Sequence, residues 1–168
     1  GDWLIRLLKE AKKHRLHTAI ETCGYASYEV LKEAINYLDV IFFDIKSMND
    51  EKHKRYTGKS NQIILDNFKQ LVQDAKTTKI TARTPVIPGF NDTVEELEEI
   101  QRFVAKGKNV SYEMLPYHRF GKGKYEMLGR TYPMGDVLLS EEIKTYIKQI
   151  ILTDKIYILV LEKITVLI

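Results

Sequence analysis

The run Val40-Ile41-Phe42-Phe43-Asp44-Ile45 is an almost unbroken stretch of apolar, β-prone side chains with no alternation in polarity. A strand with no polar face is expected to be covered on both sides, which puts it inside a parallel sheet. The neighbouring segments supply the covering. Trp3, Leu4, Leu7, Leu8 and Ala11 recur at helical spacing, with Asp2 placed to cap. His17 to Thr22 reads as a short strand, and Tyr28 to Leu38 as a helix with Leu31, Ala34, Ile35 and Leu38 on one face. After the apolar run come a helix from about Leu65 to Ala75, a strand Ile80 to Thr84, a helix Val94 to Val104, a strand Val110 to Leu115 and a helix Glu141 to Ile151. Thr93-Val94-Glu95-Glu96 has the spacing of a capping box and marks the start of its helix. Helices and strands alternating about every 30 residues call for βαβ units and a parallel sheet. That sheet is either open and doubly wound or curved as part of a TIM-like barrel.

Two regions leave this cycle. Pro116 to Leu139 carries Gly121, Gly123, Gly129, Pro133 and Gly135 among basic and aromatic residues, and reads as a binding loop. The apolar end of the chain holds one more expected strand, Ile156 to Leu161, so the organisation reads as residues 1–152 in one α/β unit and 153–168 as a hydrophobic tail. A length of 168 residues suits one domain. Its net charge of +3 is too small and too dispersed to argue for a nucleic-acid partner. No apolar run reaches the about 20 residues of a spanning helix and no signal-type segment opens the chain, so no membrane partner and a cytoplasmic location are expected. The single cysteine, Cys23, excludes an internal disulfide and any metal or iron–sulfur site that needs several cysteines of this chain.

In parallel α/β architectures ligands gather at the carboxyl ends of the strands. The first strand ends in Glu21-Thr22-Cys23-Gly24, the second in Asp44-Ile45-Lys46, the third in Arg83-Thr84-Pro85, and the fourth runs out through Pro116-Tyr117-His118. Asp44 and Lys46 are two apart and project to one face, where they form an ordinary ion pair or hold a ligand bearing both charge signs. Glu21 coordinates a cation or caps a helix. Arg83, on an apolar strand, requires an anionic partner, which Glu21, Asp44 or a ligand would supply. His118 is a candidate base or ligand contact, or a solvent-exposed loop residue, whereas His14 and His53 read as surface helix residues. Cys23 reads as a small, partly buried thiol rather than a nucleophile, there being no histidine near it in sequence. The turn Thr84-Pro85-Val86-Ile87-Pro88-Gly89 restricts the backbone and positions rather than reacts. Taken alone, these residues describe a parallel α/β ligand-binding half-barrel.

Five segments in order carry a resemblance. They are His17-Thr18-Ala19-Ile20-Glu21-Thr22-Cys23-Gly24-Tyr25, Phe43-Asp44-Ile45-Lys46-Ser47-Met48-Asn49-Asp50, Thr57-Gly58-Lys59-Ser60-Asn61, Arg83 through Asp92, and Leu115-Pro116-Tyr117-His118-Arg119-Phe120-Gly121. Together they resemble the radical S-adenosylmethionine enzymes that activate glycyl radical enzymes, with pyruvate formate-lyase activating enzyme as archetype. The resemblance implies a six-stranded partial barrel that binds S-adenosylmethionine at its strand ends. A [4Fe-4S] cluster there cleaves the cofactor reductively, and the radical formed takes hydrogen from a glycine of the partner enzyme. It further implies contacts to S-adenosylmethionine from Asp44, Lys46 and His118, and Arg83 near the cofactor. Glu21 and Thr22 with Asp44 resemble a monovalent-cation site, with glutamate standing where the archetype has aspartate. The implied partners are a glycyl radical enzyme of the pyruvate formate-lyase type and an electron donor, flavodoxin or ferredoxin.

The cluster motif C-x-x-x-C-x-x-C and the Gly-Gly-Glu-Pro segment of that family have no counterpart in these residues. The chain therefore reads as the C-terminal part of an activating enzyme. The cluster would belong to the full-length protein only, and this part is expected to be inactive alone. A non-catalytic α/β module that binds a ligand or a protein partner is the alternative. A Schiff-base enzyme using Lys46 is a third reading, which borohydride trapping would reveal. Without the strands that precede it in the family, His17 to Thr22 is an edge. Self-association through it, or through Ile156 to Leu161, is expected in sedimentation at concentrations on the order of tens of micromolar, and a purely monomeric boundary would contradict this.

Overall fold

The computed structural model describes residues 1–107 and 109–153. The elements run α1 (Asp2–Lys13), β1 (Ala19–Thr22), α2 (Tyr28–Ala34) with a 3-10 turn (Ile35–Tyr37), β2 (Val40–Asp44), α3 (Asp50–Thr57) and α4 (Gln62–Asp74). They continue through β3 (Lys79–Val86), α5 (Val94–Val104), β4 (Val110–Pro116), α6 (Lys122–Met127) and α7 (Glu141–Thr153). The four strands form one parallel sheet in the order β1-β2-β3-β4, with β1 at one edge. The tail strand expected at Ile156 to Leu161 lies outside the described residues. Among those described, no helix is long and apolar enough to cross a membrane.

The sheet has two unlike faces. Ile41, Phe43, Ile45, Ile80, Ala82, Thr84, Val86, Tyr112 and Met114 are buried on one of them. They pack with Ile5 and Leu8 of α1, Leu31 of α2, Leu65, Phe68 and Leu71 of α4, Leu97 and Ile100 of α5, and Ile143 and Ile147 of α7. The residues between them in sequence (Val40, Phe42, Asp44, Thr81, Arg83, Glu113) point to the other face and are only partly buried. This corrects the expectation that β2 is buried on both sides: only its Ile41 and Phe43 face the helical layer, and Val40 and Phe42 lie on the open side. An apolar run tells that a strand is central; it does not tell how many layers cover it.

Helix ends follow local chemistry. The Thr93 hydroxyl accepts from the Glu96 N–H at 3.3 Å, as the capping box requires. Asp2 is inside the first turn rather than at the cap position, which Gly1 holds, and its negative charge interacts favourably with the positive end of the helix dipole there. α3 carries no apolar stripe, so periodicity does not give its bounds, although a helix around His53 is expected. They are set instead by Asn49, whose side chain accepts from the Lys52 N–H at 2.9 Å, and by Gly58 in the left-handed region at φ 75°. That turn folds the Lys59 carbonyl onto His53, with 2.6 Å to Nδ1, so His53 is buried and not the surface residue its sequence position suggests. His14 is exposed beside Glu10.

The 116–139 segment folds on itself. Tyr117 and Tyr132 share a 2.6 Å hydrogen bond, Tyr125 stands edge-on to Tyr132, and Arg119 pairs with Asp136 at 2.6 Å. Burial and the Tyr132 hydroxyl push the Tyr117 phenol up to about 12. Phe120, Met127 and Leu128 remain exposed on its surface.

Gly24, at φ 68° just after β1, is the most crowded of the glycines, since a Cβ there would overlap the Phe43 ring. Gly24→Ala is expected to destabilise the chain by roughly 2–4 kcal/mol in urea unfolding, from backbone strain plus overpacking against a buried aromatic ring.

Candidate functional site

The partly buried face acquires its charges at the carboxyl ends of the strands. The register places Asp44 opposite Arg83 and Arg83 opposite Glu113, with Glu21 two rungs back on β1. Residues at matching positions of neighbouring parallel strands share a face, so the pairing alone brings these side chains into one row. Arg83 is at the centre. Its Nη1 donates to Glu21 Oε1 at 3.0 Å, and its Nε and Nη2 donate to Asp44 Oδ1 at 3.3 and 3.2 Å. The guanidinium lies 4.9 Å from the centre of the Phe42 ring, which adds a cation–π contact. Lys46, just past the end of β2, donates from Nζ to Asp44 Oδ2 at 3.1 Å. The anionic partner that Arg83 requires is thus supplied twice within the chain.

The four ends of this network differ in access. The Arg83 side chain is 13% exposed and that of Glu21 47%, so the arginine is the fixed point and the glutamate the part open to solvent. The hydrogen bond from Arg83 holds the Glu21 carboxyl below its usual range, against the opposing effect of burial. Burial works to lower the Arg83 value, but hydrogen bonds and charge attraction from Glu21 and Asp44 outweigh it and raise the guanidinium further.

Glu113 was not singled out from sequence, where one acidic residue in a strand carries little signal. Here it faces the same side as Arg83, next to it in the sheet, and burial raises its carboxyl while Arg83 lowers it in part. Counting it, three carboxyl groups (Glu21, Asp44, Glu113) stand in one row with two cations (Arg83, Lys46), so the site holds groups of both signs.

The other expected site residues are placed differently. Thr22 lies on the opposite face of β1 from Glu21, and its hydroxyl accepts from the Gly24 N–H at 3.0 Å. Arg83 stands between Glu21 and Asp44, the position a cation bound by both would take. His118 is exposed, stacked on Phe120 at 4.2 Å, with no hydrogen bond to the charged row. Cys23 is a half-buried free thiol. Among the described residues no group of three or more His, Cys, Asp and Glu side chains is placed to hold a metal ion. The residues present do not fit an iron–sulfur cluster, because Cys23 is the sole cysteine and such a cluster takes several thiolates.

Buried amides brace the strand exits around the site. Asn67 of α4 donates to the carbonyls of Gly24 at 2.7 Å and Ala26 at 2.8 Å, fixing the loop after β1.

A parallel sheet sealed by helices on one side, with fixed charges of both signs at its strand ends on the other, is the architecture of a parallel α/β partial barrel. Residues 1–104 match the Radical SAM superfamily, and the chain belongs to it. Over 150 residues it is 43% identical to the isethionate sulfite-lyase activating enzyme of Oleidesulfovibrio alaskensis, covering 89% of this chain and 48% of that protein. It is also 43% identical over 140 residues to the (2S)-3-sulfopropanediol sulfolyase activating enzyme of Bilophila wadsworthia, covering 83% of this chain and 46% of that one. The chain thus spans about half the length of the curated relatives it matches. In fold it is similar to the crystal structure of a domain of pyruvate-formate lyase-activating enzyme from Bacteroides vulgatus. The TM-score is 0.69 at 24% identity, covering 91% of this chain and 85% of that one.

The raised Glu113 carboxyl gives a pH test with a definite sign. Between the ordinary glutamate range and its raised folded value, the folded chain holds a proton that the unfolded chain has released, so this residue's contribution to stability falls as pH rises through that window. Glu113→Gln removes the penalty. The variant is expected to be more stable than the parent at neutral pH and to lose that advantage as pH falls into the ordinary glutamate range, in urea unfolding at a series of pH values.

Proposed function

We propose that this chain is the ligand-binding, C-terminal part of an activating enzyme for a glycyl radical enzyme, and that its strand-end row binds S-adenosylmethionine. The observation that carries the reading is the mixed-charge row itself. A zwitterionic amino-acid group needs a cation for its carboxylate and an anion for its ammonium within a few ångströms of each other, and Lys46 with Asp44 offers both at 3.1 Å. In this reading Lys46 and Arg83 take the carboxylate, and Asp44 and Glu21 take the ammonium or share it with a monovalent cation. Such a cation, held by Glu21 and Asp44, requires Arg83 to turn from the two carboxylates to the ligand, and the Thr22 hydroxyl, on the other face of β1, would have to turn to join it. His118 reaches the ligand only if the 116–139 segment brings it over the strand ends.

When bound, S-adenosylmethionine supplies a radical on one-electron reduction. This chain's residues hold and orient its amino-acid end, and the thiolates for the [4Fe-4S] cluster belong to sequence other than these 168 residues, with flavodoxin or ferredoxin as electron donor. The part described here is accordingly expected to be inactive alone. The relatives' names favour a partner that releases a sulfur group from a sulfonate, as isethionate sulfite-lyase and 3-sulfopropanediol sulfolyase are named, over pyruvate formate-lyase.

Titration of the isotope-labelled chain with S-adenosylmethionine into the millimolar range tests the site. Amide shifts are expected to concentrate at Glu21, Asp44, Lys46 and Arg83, and Lys46→Ala is expected to weaken the apparent affinity about tenfold, equivalent to about 1.4 kcal/mol. Shifts elsewhere, or none, would overturn the assignment of the site.

A further inference from the structure

β2 ends at Asp44, and the last backbone bond that ties it to β3 is Ile45 N–H to Arg83 O at 2.9 Å. Beyond that point the chain carries Lys46 to the open side with no ladder to hold it. Instead, three consecutive carbonyls are each met by a buried side chain from elsewhere. Ile45 O accepts from the Thr84 hydroxyl at 2.8 Å, Lys46 O from the Asn91 carboxamide at 2.7 Å, and Ser47 O from the Asn61 carboxamide at 2.9 Å. The donors are 0%, 0% and 2% exposed. Backbone carbonyls leaving a strand are normally satisfied by water, so three buried donors on three successive residues mark a segment whose course is specified residue by residue.

Asn91 does more than the other two. Besides Lys46 O its amide nitrogen donates to Pro85 O at 2.9 Å, and its Oδ1 accepts from the Ile87 N–H at 2.7 Å. One side chain therefore joins the exit of β2, which carries Lys46, to the exit of β3, which carries Arg83. It acts as an added rung past the last rung of the ladder. Only an uncharged amide suits the place, since two carbonyls need donors and one N–H needs an acceptor.

We propose that Asn91 is a positioning residue for the ligand site: by fixing the Lys46 carbonyl to β3 it sets where the Lys46 ammonium stands relative to Asp44 and Arg83. The functional weight of this role rests on the reading of the row as a ligand site; the positioning itself does not. Asn91 touches none of the charged groups, and it acts through the backbone of Lys46.

The test reads Lys46 directly in the unliganded chain. Acetylation by an N-hydroxysuccinimide ester, followed site by site by mass spectrometry, gives the rate at Lys46 relative to Lys69 and Lys144, which pair within their own helices. Asn91→Ala is expected to raise the Lys46 rate by roughly fivefold, the loss of about one positioning hydrogen bond, and to leave the two reference rates unchanged. Asp44→Asn, which removes the ammonium's own partner, calibrates the rate of a released Lys46. An Asn91→Ala rate equal to the parent's overturns the proposal, and so does a rise shared by all lysines. Should Asn91→Ala fail to fold, hydrogen exchange in the parent chain decides. The Ile87 amide is expected to exchange as slowly as the interior amides of β3, and exchange at the rate of an exposed loop overturns the proposal. S-adenosylmethionine added to the parent separates the two claims. If it does not protect Lys46 while Asn91→Ala still frees it, the cofactor reading falls and the positioning role stands.

Discussion

Arg83 is a permanent cation on the open face of β3, largely shielded from solvent by its neighbours, and the arrangement of that face depends on satisfying it. A guanidinium this poorly exposed is costly without partners, and removing one leaves the remaining charge uncompensated. Glu21 from β1 and Asp44 from β2 both reach it, and the Phe42 ring lies against it. These contacts form only when β1, β2 and β3 are parallel and in the observed register. A shift of one residue would turn Asp44 into the helical layer and bring Phe43 to the open side. The ion network and the hydrophobic core therefore select the same register, one from each face of the sheet.

The two faces divide the labour. On the helical side the alternate positions of β2 and β3 are buried, and Gly24 leaves room for the Phe43 ring. On the open side the same strands carry their charges at the carboxyl ends, where the chain leaves the sheet. Buried amides convert the rigidity of the first side into defined loop paths on the second. Asn67 does so after β1, Asn61 after β2, and Asn91 between the exits of β2 and β3. These bonds hold the backbone from which the charged row projects.

Much of this was legible in the residues. The order of strands and helices followed from apolar periodicity, and the need of Arg83 for an anion followed from its place in a strand. Asp44 and Lys46 two apart announced a shared face. Other parts were not legible, for identifiable reasons. α3 has no apolar stripe, so its bounds rest on the Asn49 cap and the Gly58 turn, and the burial of His53 follows from that turn. Glu113 became visible only when β3 and β4 paired, because its meaning lies in being next to Arg83. Thr22, next to Glu21 in sequence, is turned from the row by strand alternation, and His118 makes no hydrogen bond to it from the 116–139 segment.

By itself the sequence determined the class of architecture, a parallel α/β sheet with polar strand ends, because hydrophobic periodicity and turn chemistry are local properties that short segments carry. It also determined that iron–sulfur ligation is not among this chain's own capacities, since one cysteine is a matter of counting. Only the tertiary structure decided which face of β2 is covered, that Arg83 bridges Glu21 and Asp44, and that Asn91, 45 residues from Lys46, holds its carbonyl. Those facts depend on the register between strands and on chain segments distant in sequence meeting in space, and neither is a property of any local stretch of residues.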